Sequence, residues 1–398
     1  MMSSDQIHRP TGVPPRGPIV LARVHALDGI RALAALMILI YHVALQTGLA
    51  LQDGIAGALL SRLDVAVSIF FVLSGLLLYR PWAFASLTGE RPPGSRDYLI
   101  RRALRILPLY WIVVVVAIFG WSREHVGDLW TWLKLLTLTH NYDTAPWWNS
   151  TGPPGLMQMW SLSVEAAFYL TLPLMALLLS WLSGGATGVA DRAKRQLVAV
   201  TGVALASFVW TLVQFSPVGT GYMQLWLPRY GACFAGGMAL AVVMVWLSSM
   251  REEVRRTLTR WWWICWIIAG AAYALASTPV TGGRYVAPSD LATSLAEQAL
   301  YAVISISLVA PAALTSSPGL VRRLLANRPV GMLGGISYGI FLWQFIAIDT
   351  WYALTGQQGW TGGFAMNLAT ITVLTLLYAF ISGELVEKPI RRRMSRRL

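Results

Sequence analysis

Runs of about twenty predominantly apolar residues recur along the whole chain, and a run of that length is what an α-helix needs to cross a bilayer. Ten are read, at roughly 29–50, 65–87, 104–121, 162–182, 197–215, 230–249, 261–278, 291–314, 333–353 and 364–386. The 398 residues are 56% hydrophobic and only 12% charged, with 19 Trp; mean hydropathy is +0.56. No soluble domain of this size needs so much apolar surface. The expected fold is an all-α integral membrane bundle of about ten transmembrane helices.

Basic residues set the expected orientation, because cytoplasmic loops hold the excess of Lys and Arg. With the N-terminus inside, 26 of the 31 basic residues fall on one side. The other five, Arg62, Arg123, Lys134, Arg229 and Arg284, lie in or beside outer loops. Both termini are therefore expected in the cytoplasm. The net charge of +13 is spread as short clusters beside membrane spans, a pattern of topology and attraction to anionic headgroups and not of nucleic-acid binding. Arg outnumbers Lys by 28 to 3, a weak sign of a GC-rich bacterial source.

The chain divides into a disordered, proline-bearing cytoplasmic lead over 1–26, a transmembrane domain over 27–390 and a basic cytoplasmic tail over 391–398. No signal peptide and no second soluble domain are expected. Leu129–Thr139 is too short to cross and has Trp130 and Trp132 near its start, so it is expected in the interface or re-entrant. Cys233 and Cys265 both sit in apolar runs, which leaves neither a disulfide framework nor a zinc site. No metal is expected. No glycine-rich phosphate loop is present in the sequence.

Arg31 and His42 stand inside the first apolar run. Intramembrane ionisable groups are costly and mark function by default. Eleven residues on an α-helix place both side chains on nearly one face, about 16 Å apart along the axis. Glu165, in Trp160-Ser161-Leu162-Ser163-Val164-Glu165, lies at the same outer depth as His42. Two readings fit it: an ordinary helix start, with a serine cap and an acid in the first turn, or a His42–Glu165 pair in which the carboxylate fixes the imidazole tautomer.

On the cytoplasmic side, Arg101 and Arg105 are four apart and share a helical face, with Arg102 beside them. They are either a positive-inside anchor or, with Arg31, a clamp for the phosphates of an anionic donor. Asp64 reads as an ordinary helix-start acid and Ser74-Gly75 as a close-packing pair. His8 and His25 fall in the lead; His125 and His140 flank the interfacial segment, and all four are expected to be solvated. Trp147 and Trp148 suit stacking on a sugar ring, though interfacial belts also use Trp.

In this order, these clusters resemble the acyltransferase 3 family of bacterial multi-spanning O-acyltransferases. The resemblance rests on the R-x10-H pattern of Arg31 and His42, FFVLSG at Phe70–Gly75, the basic stretch at Arg101–Tyr110, and WSLSVE-x-x-FYL at Trp160–Leu170. Ile336–Trp343 and Glu384–Pro389 continue it, so it covers nearly the whole chain. Two positions depart: many members have Asp or His where this chain has Ser68, and LWH where it has Gln344. Neither residue is given an acid–base role.

The resemblance implies transfer of a short acyl group, commonly acetyl, from cytoplasmic acyl-CoA to a hydroxyl of a carbohydrate, a cell-envelope glycan, a lipid-linked sugar or a glycosylated natural product, in the bacterial inner membrane. Arg31, Arg101, Arg102 and Arg105 would hold the CoA phosphates, while His42 acts as general base oriented by Glu165, or is itself transiently acylated. Trp147, Trp148, Trp160 and Ser163 are the candidates for contact with the acceptor. The competing class is a transporter or flippase using Arg31, His42 and Glu165 for binding or proton relay; inverted repeats would favour it, and none is read.

Overall fold

The computed structural model describes residues 24–148, 151–284, 290–314 and 320–390. Its α-helices are α1 His25–Gln46, α2 Ile55–Leu60, α3 Ala66–Thr88, α4 Ser95–Trp121, α5 Leu129–Leu136, α6 Trp160–Leu182, α7 Val189–Gln214, α8 Gly231–Ser248, α9 Glu252–Thr259, α10 Trp262–Ala276, α11 Leu291–Leu314, α12 Leu320–Leu325, α13 Arg328–Thr355 and α14 Phe364–Ser382. No strand occurs among the described residues.

Nine helical segments among the described residues are long and apolar enough to span: those containing α1, α3, α4, α6, α7, α8, α11, α13 and α14. The tenth expected span, 261–278, forms α10, a shorter helix of 15 residues that rises about 22 Å. It runs antiparallel along α11, with Trp266 Nε1 donating to the Leu308 carbonyl at 3.4 Å and Ala276 packed in one cluster with Tyr301. Outward faces are apolar: Leu170, Leu174 and Trp181 on α6, and Val373, Leu377 and Phe380 on α14, are exposed. Lipid, not water, is the solvent such faces require.

α1, α3, α8 and α13 form the centre. Small residues let their backbones meet, since without a hydrophobic drive in lipid, association depends on close packing. A Cβ on Gly75 would stand 2.2 Å from the Phe234 carbonyl oxygen, and one on Gly237 would stand 2.0 Å from that of Val72. Gly75 is thus the packing residue the sequence suggests, whereas Ser74 turns away to another partner. The first end of α1 is gripped in the same manner, with Gly29 against Leu325 and Gly334 against Asp28.

Helix α1 begins at His25, inside the stretch expected to be a disordered lead. The rest of that lead, His8 included, and the basic tail lie outside the described residues. The interfacial segment is the eight-residue α5, capped by Asp128, whose carboxylate accepts from Trp130 N at 3.0 Å and Thr131 Oγ1 at 2.7 Å. After it the chain turns through Leu138 at φ 60°, with Thr139 N bonded to the Lys134 carbonyl at 2.9 Å. That turn drives His140 inward.

Candidate functional site

Three cavities stand in file along α1. The first, an arginine vestibule of about 720 Å³, is lined by Arg31 from α1, Arg80 from α3 and Arg101, Arg102 and Arg105 from α4. Its carboxylates are Asp28 and Glu387. Asp28 lies 3.9 Å from Arg31 Nη1. The sequence places Arg101 and Arg105 on one helical face, and the structure turns that face toward Arg31. Arg80, not singled out from the sequence, joins them from the end of α3. Excess guanidinium in a concave wall attracts a polyanion and binds phosphate oxygens in forked pairs.

The middle cavity, about 250 Å³, shares Arg31, Arg102, Arg105 and Tyr338 with the vestibule. Ser74, Glu165 and Tyr169 supply its other polar wall, and Ile38, Phe70, Leu73 and Leu77 are among its apolar lining. Ser74 Oγ donates to Glu165 Oε1, and Tyr169 also hydrogen-bonds this carboxylate. The expected His42–Glu165 pair does not form. Glu165 sits one turn into α6, on the face directed at Ser74 of α3 and the arginines, so it belongs with Arg31 and not with His42.

The histidine cavity, about 170 Å³, adjoins the middle one through the shared walls Ile38, Val67, Ser161 and Phe341. His42 is buried in it. Its Nδ1 lies 3.0 Å from Gln344 Oε1, and the Gln344 amide is turned by its own Nε2, which donates to the Phe341 carbonyl at 3.1 Å. An amide oxygen accepts only, so Nδ1 carries the proton and Nε2 keeps its lone pair. Phe345 packs against the ring at a centroid distance of 4.5 Å. Gln344 thereby takes the orienting place expected of Glu165, at a position the sequence left without a role.

Asp64, Glu297 and Tyr301 line the same cavity. The Tyr301 hydroxyl donates to Asp64 Oδ1, and Arg229 Nη2 donates to Glu297 Oε2 at 3.0 Å and to the Ser294 carbonyl at 3.2 Å. Arg62 caps the carbonyls of Gly282 and Gly283 at 2.9 and 3.1 Å. Asp64 is more than a helix-start acid, and Arg62 and Arg229, expected in or beside loops, are buried. Glu297 drew no attention from the sequence; a carboxylate in the middle of an apolar run is the signal that was there.

Of the four candidates for acceptor contact, only Trp160 reaches this cavity, packed on Tyr230 at 5.4 Å. Trp147 is stacked under His125 at 3.6 Å and 14° and donates to Thr131 Oγ1 at 2.8 Å. Trp148 is buried edge-on to Trp147 and His140. One face of Trp147 is thus covered by His125. Ser163 Oγ is 3.3 Å from Nδ1 of His140, outside all three cavities. His140 is buried, not solvated, and burial pushes its imidazole down to about 4. Among the described residues no group of three or more His, Cys, Asp or Glu is placed to hold a metal ion.

The profile of the acyltransferase domain matches residues 24–383. The chain is 24% identical over 386 residues to the peptidoglycan O-acetyltransferase OatA of Listeria monocytogenes, covering 93% of this chain and 56% of that protein. It is 25% identical over 407 residues to the putative peptidoglycan O-acetyltransferase YrhL of Bacillus subtilis, covering 94% and 56%. The chain thus spans just over half the length of these two relatives. Against acyltransferase MdmB of Streptomyces mycarofaciens it is 25% identical over 438 residues, covering 97% and 95%. No solved structure matches. A profile match over nearly the whole transmembrane bundle, with Arg31 and His42 at either end of one file of cavities, establishes that the chain belongs to the acyltransferase 3 family of acyltransferase domains.

Proposed function

We propose that this protein is a membrane O-acyltransferase that moves a short acyl group, acetyl in the simplest case, from cytoplasmic acyl-CoA to a hydroxyl of a glycan or glycosylated natural product on the outer side of the bacterial inner membrane. The observation that carries this reading is the file of three cavities, with surplus guanidinium at one end and a base with a free lone pair at the other. The vestibule suits the CoA phosphates. The middle cavity, largely apolar with Arg31, Glu165 and Ser74 in its wall, suits the thinner thioester arm. The excess of basic residues on that side supports a cytoplasmic vestibule.

The chemistry follows from the tautomer. His42 Nε2 takes the hydroxyl proton of the acceptor as its oxygen attacks the thioester carbonyl; the C–S bond breaks, and the imidazolium returns the proton to the departing CoA thiolate. Gln344 holds Nδ1–H throughout. The relatives named for peptidoglycan O-acetylation and the acyltransferase MdmB support an acceptor that is a glycan or a natural product. A carrier would pass its ligand uncleaved. Release of CoA thiol from acetyl-CoA by purified protein in lipid nanodiscs therefore tests the reading: it is expected from the wild type and lost in His42→Ala, and thiol release unchanged by that substitution contradicts it.

A further inference from the structure

Acyl transfer needs hydrogen-bond donors as well as a base, because negative charge builds on the thioester oxygen while the carbonyl carbon is under attack. The histidine cavity has few donors to give. Asp64 and Glu297 stand in its wall, so an oxyanion formed there without donors of its own would meet like charge. Most protons of the wall are already committed. His42 Nδ1–H goes to Gln344, the Tyr301 hydroxyl to Asp64, the Ser161 hydroxyl to the Gln158 main-chain carbonyl at 3.1 Å, and the Gln158 amide to the carbonyls of Leu342 and Phe341. Ser68 bonds the Cys233 sulfur, and Tyr41 is partnered as well.

Two donors remain. Among the described residues, Trp160 Nε1 and the Tyr230 hydroxyl have no hydrogen-bond partner, and both atoms keep accessible surface. Both side chains line the cavity that holds His42. Their rings pack on each other with centroids 5.4 Å apart and 35° between the planes, and Tyr230 also packs on Phe71 at 5.0 Å. Asn141 Nδ2 donates to the Trp160 carbonyl at 2.8 Å, which fixes the start of α6. Donors mounted on packed rings are in place before the charge appears, which is the condition for favouring a transition state over a ground state.

We propose that Trp160 Nε1–H and the Tyr230 hydroxyl form the oxyanion site of this enzyme. This rests on the acyl-transfer reading above and adds the groups that stabilise the reacting carbonyl. As the acceptor oxygen bonds to the carbonyl carbon and its proton passes to His42 Nε2, the carbonyl π pair moves onto oxygen and is met by both donors. The pair returns as the C–S bond breaks, and the departing thiolate takes the proton from His42. Neither ring gives up its own proton. Trp160, expected from the sequence to contact the acceptor, thereby serves the carbonyl of the acyl donor.

The test follows CoA release by chromatography from purified protein in lipid nanodiscs. The substrates are acetyl-CoA and dithioacetyl-CoA, in which the carbonyl oxygen is replaced by sulfur, a weak hydrogen-bond acceptor. Tyr230→Phe keeps the ring and removes the donor; Trp160→Phe removes the other. Each is expected to lower kcat on acetyl-CoA by about 10²- to 10³-fold, the usual cost of one oxyanion donor, with the acetyl-CoA KM little changed. The rate ratio of oxygen to sulfur substrate should also shrink by about tenfold or more in each variant, which loosened packing would not produce. A kcat in Tyr230→Phe within about twofold of the wild type overturns the proposal. So does a fall in kcat that leaves the ratio unchanged. Absence of CoA release from the wild type instead removes the acyl-transfer reading, and this proposal with it.

Discussion

At the arginine end, Arg31, Arg80, Arg101, Arg102 and Arg105 line a cavity of about 720 Å³ whose carboxylates are Asp28 and Glu387. At the histidine end, about 170 Å³ is lined by His42, Asp64, Glu297 and Tyr301, with Arg229 holding Glu297 and Tyr301 holding Asp64. One end is wide with surplus cation; the other is narrow and satisfies nearly every charge internally. Surplus charge suits a mobile, polyanionic ligand that arrives from water and leaves again. Satisfied charge suits a fixed reaction centre, where each unpaired group inside the membrane is expensive and so is kept only for use. His42 Nε2 is the unspent acceptor of that second end.

The comparison breaks most readily at its base. His42→Ala should cut acyl transfer by about 10²- to 10⁴-fold, the usual contribution of a positioned general base, with the acyl-CoA KM nearly unchanged in steady-state assays. The arginine end should respond in the opposite sense. Arg101→Ala with Arg105→Ala is expected to raise the acyl-CoA KM by about 10- to 100-fold while the acceptor KM moves little, and the effect should shrink as salt is added. An equal rise in both KM values would dissolve the division of labour.

Gln344→Leu separates orientation from basicity. It keeps the volume and removes the amide oxygen, so kcat should fall about tenfold with little change in either KM, and Gln344→His should recover part of it because a ring nitrogen can again accept from Nδ1–H. The smallest effect concerns His140, which belongs to neither end. Its imidazole, held near 4 by burial, is neutral in the folded protein and protonates more readily when unfolded. Its contribution is therefore intact above about pH 6.5 and lost progressively as pH falls toward 4, by at most about 3 kcal/mol. Thermal melting in detergent should drop over that window, and less so in His140→Phe.

Most of the bundle was legible because lipid imposes one rule on every span: long apolar runs satisfy their backbone internally. The expected run 261–278 appears as the shorter α10, Trp262–Ala276. Spacing put Arg101 and Arg105 on one face of α4, because helical periodicity acts within one element; that Arg31 of α1 lines the same cavity is a matter of packing. Pairings across elements were not legible. Glu165 shares a depth with His42 in sequence but is rotated toward Ser74, and only packing of α3 against α6 decides that. Gln344 reached His42 through a contact 302 residues apart, and Trp147 packs on His125 and edge-on to Trp148.

The two-ended account is tested most directly by sidedness. Purified protein carrying a protease-cleavable C-terminal tag is inserted into proteoliposomes, and orientation is scored by tag cleavage. Radiolabelled acetyl-CoA is then supplied on one side and a hydroxyl-bearing glycolipid, anchored to that leaflet or the other, as acceptor. The account predicts labelled ester only when acetyl-CoA is on the vestibule side and the acceptor on the opposite leaflet; ester formed with both on the same side would contradict it.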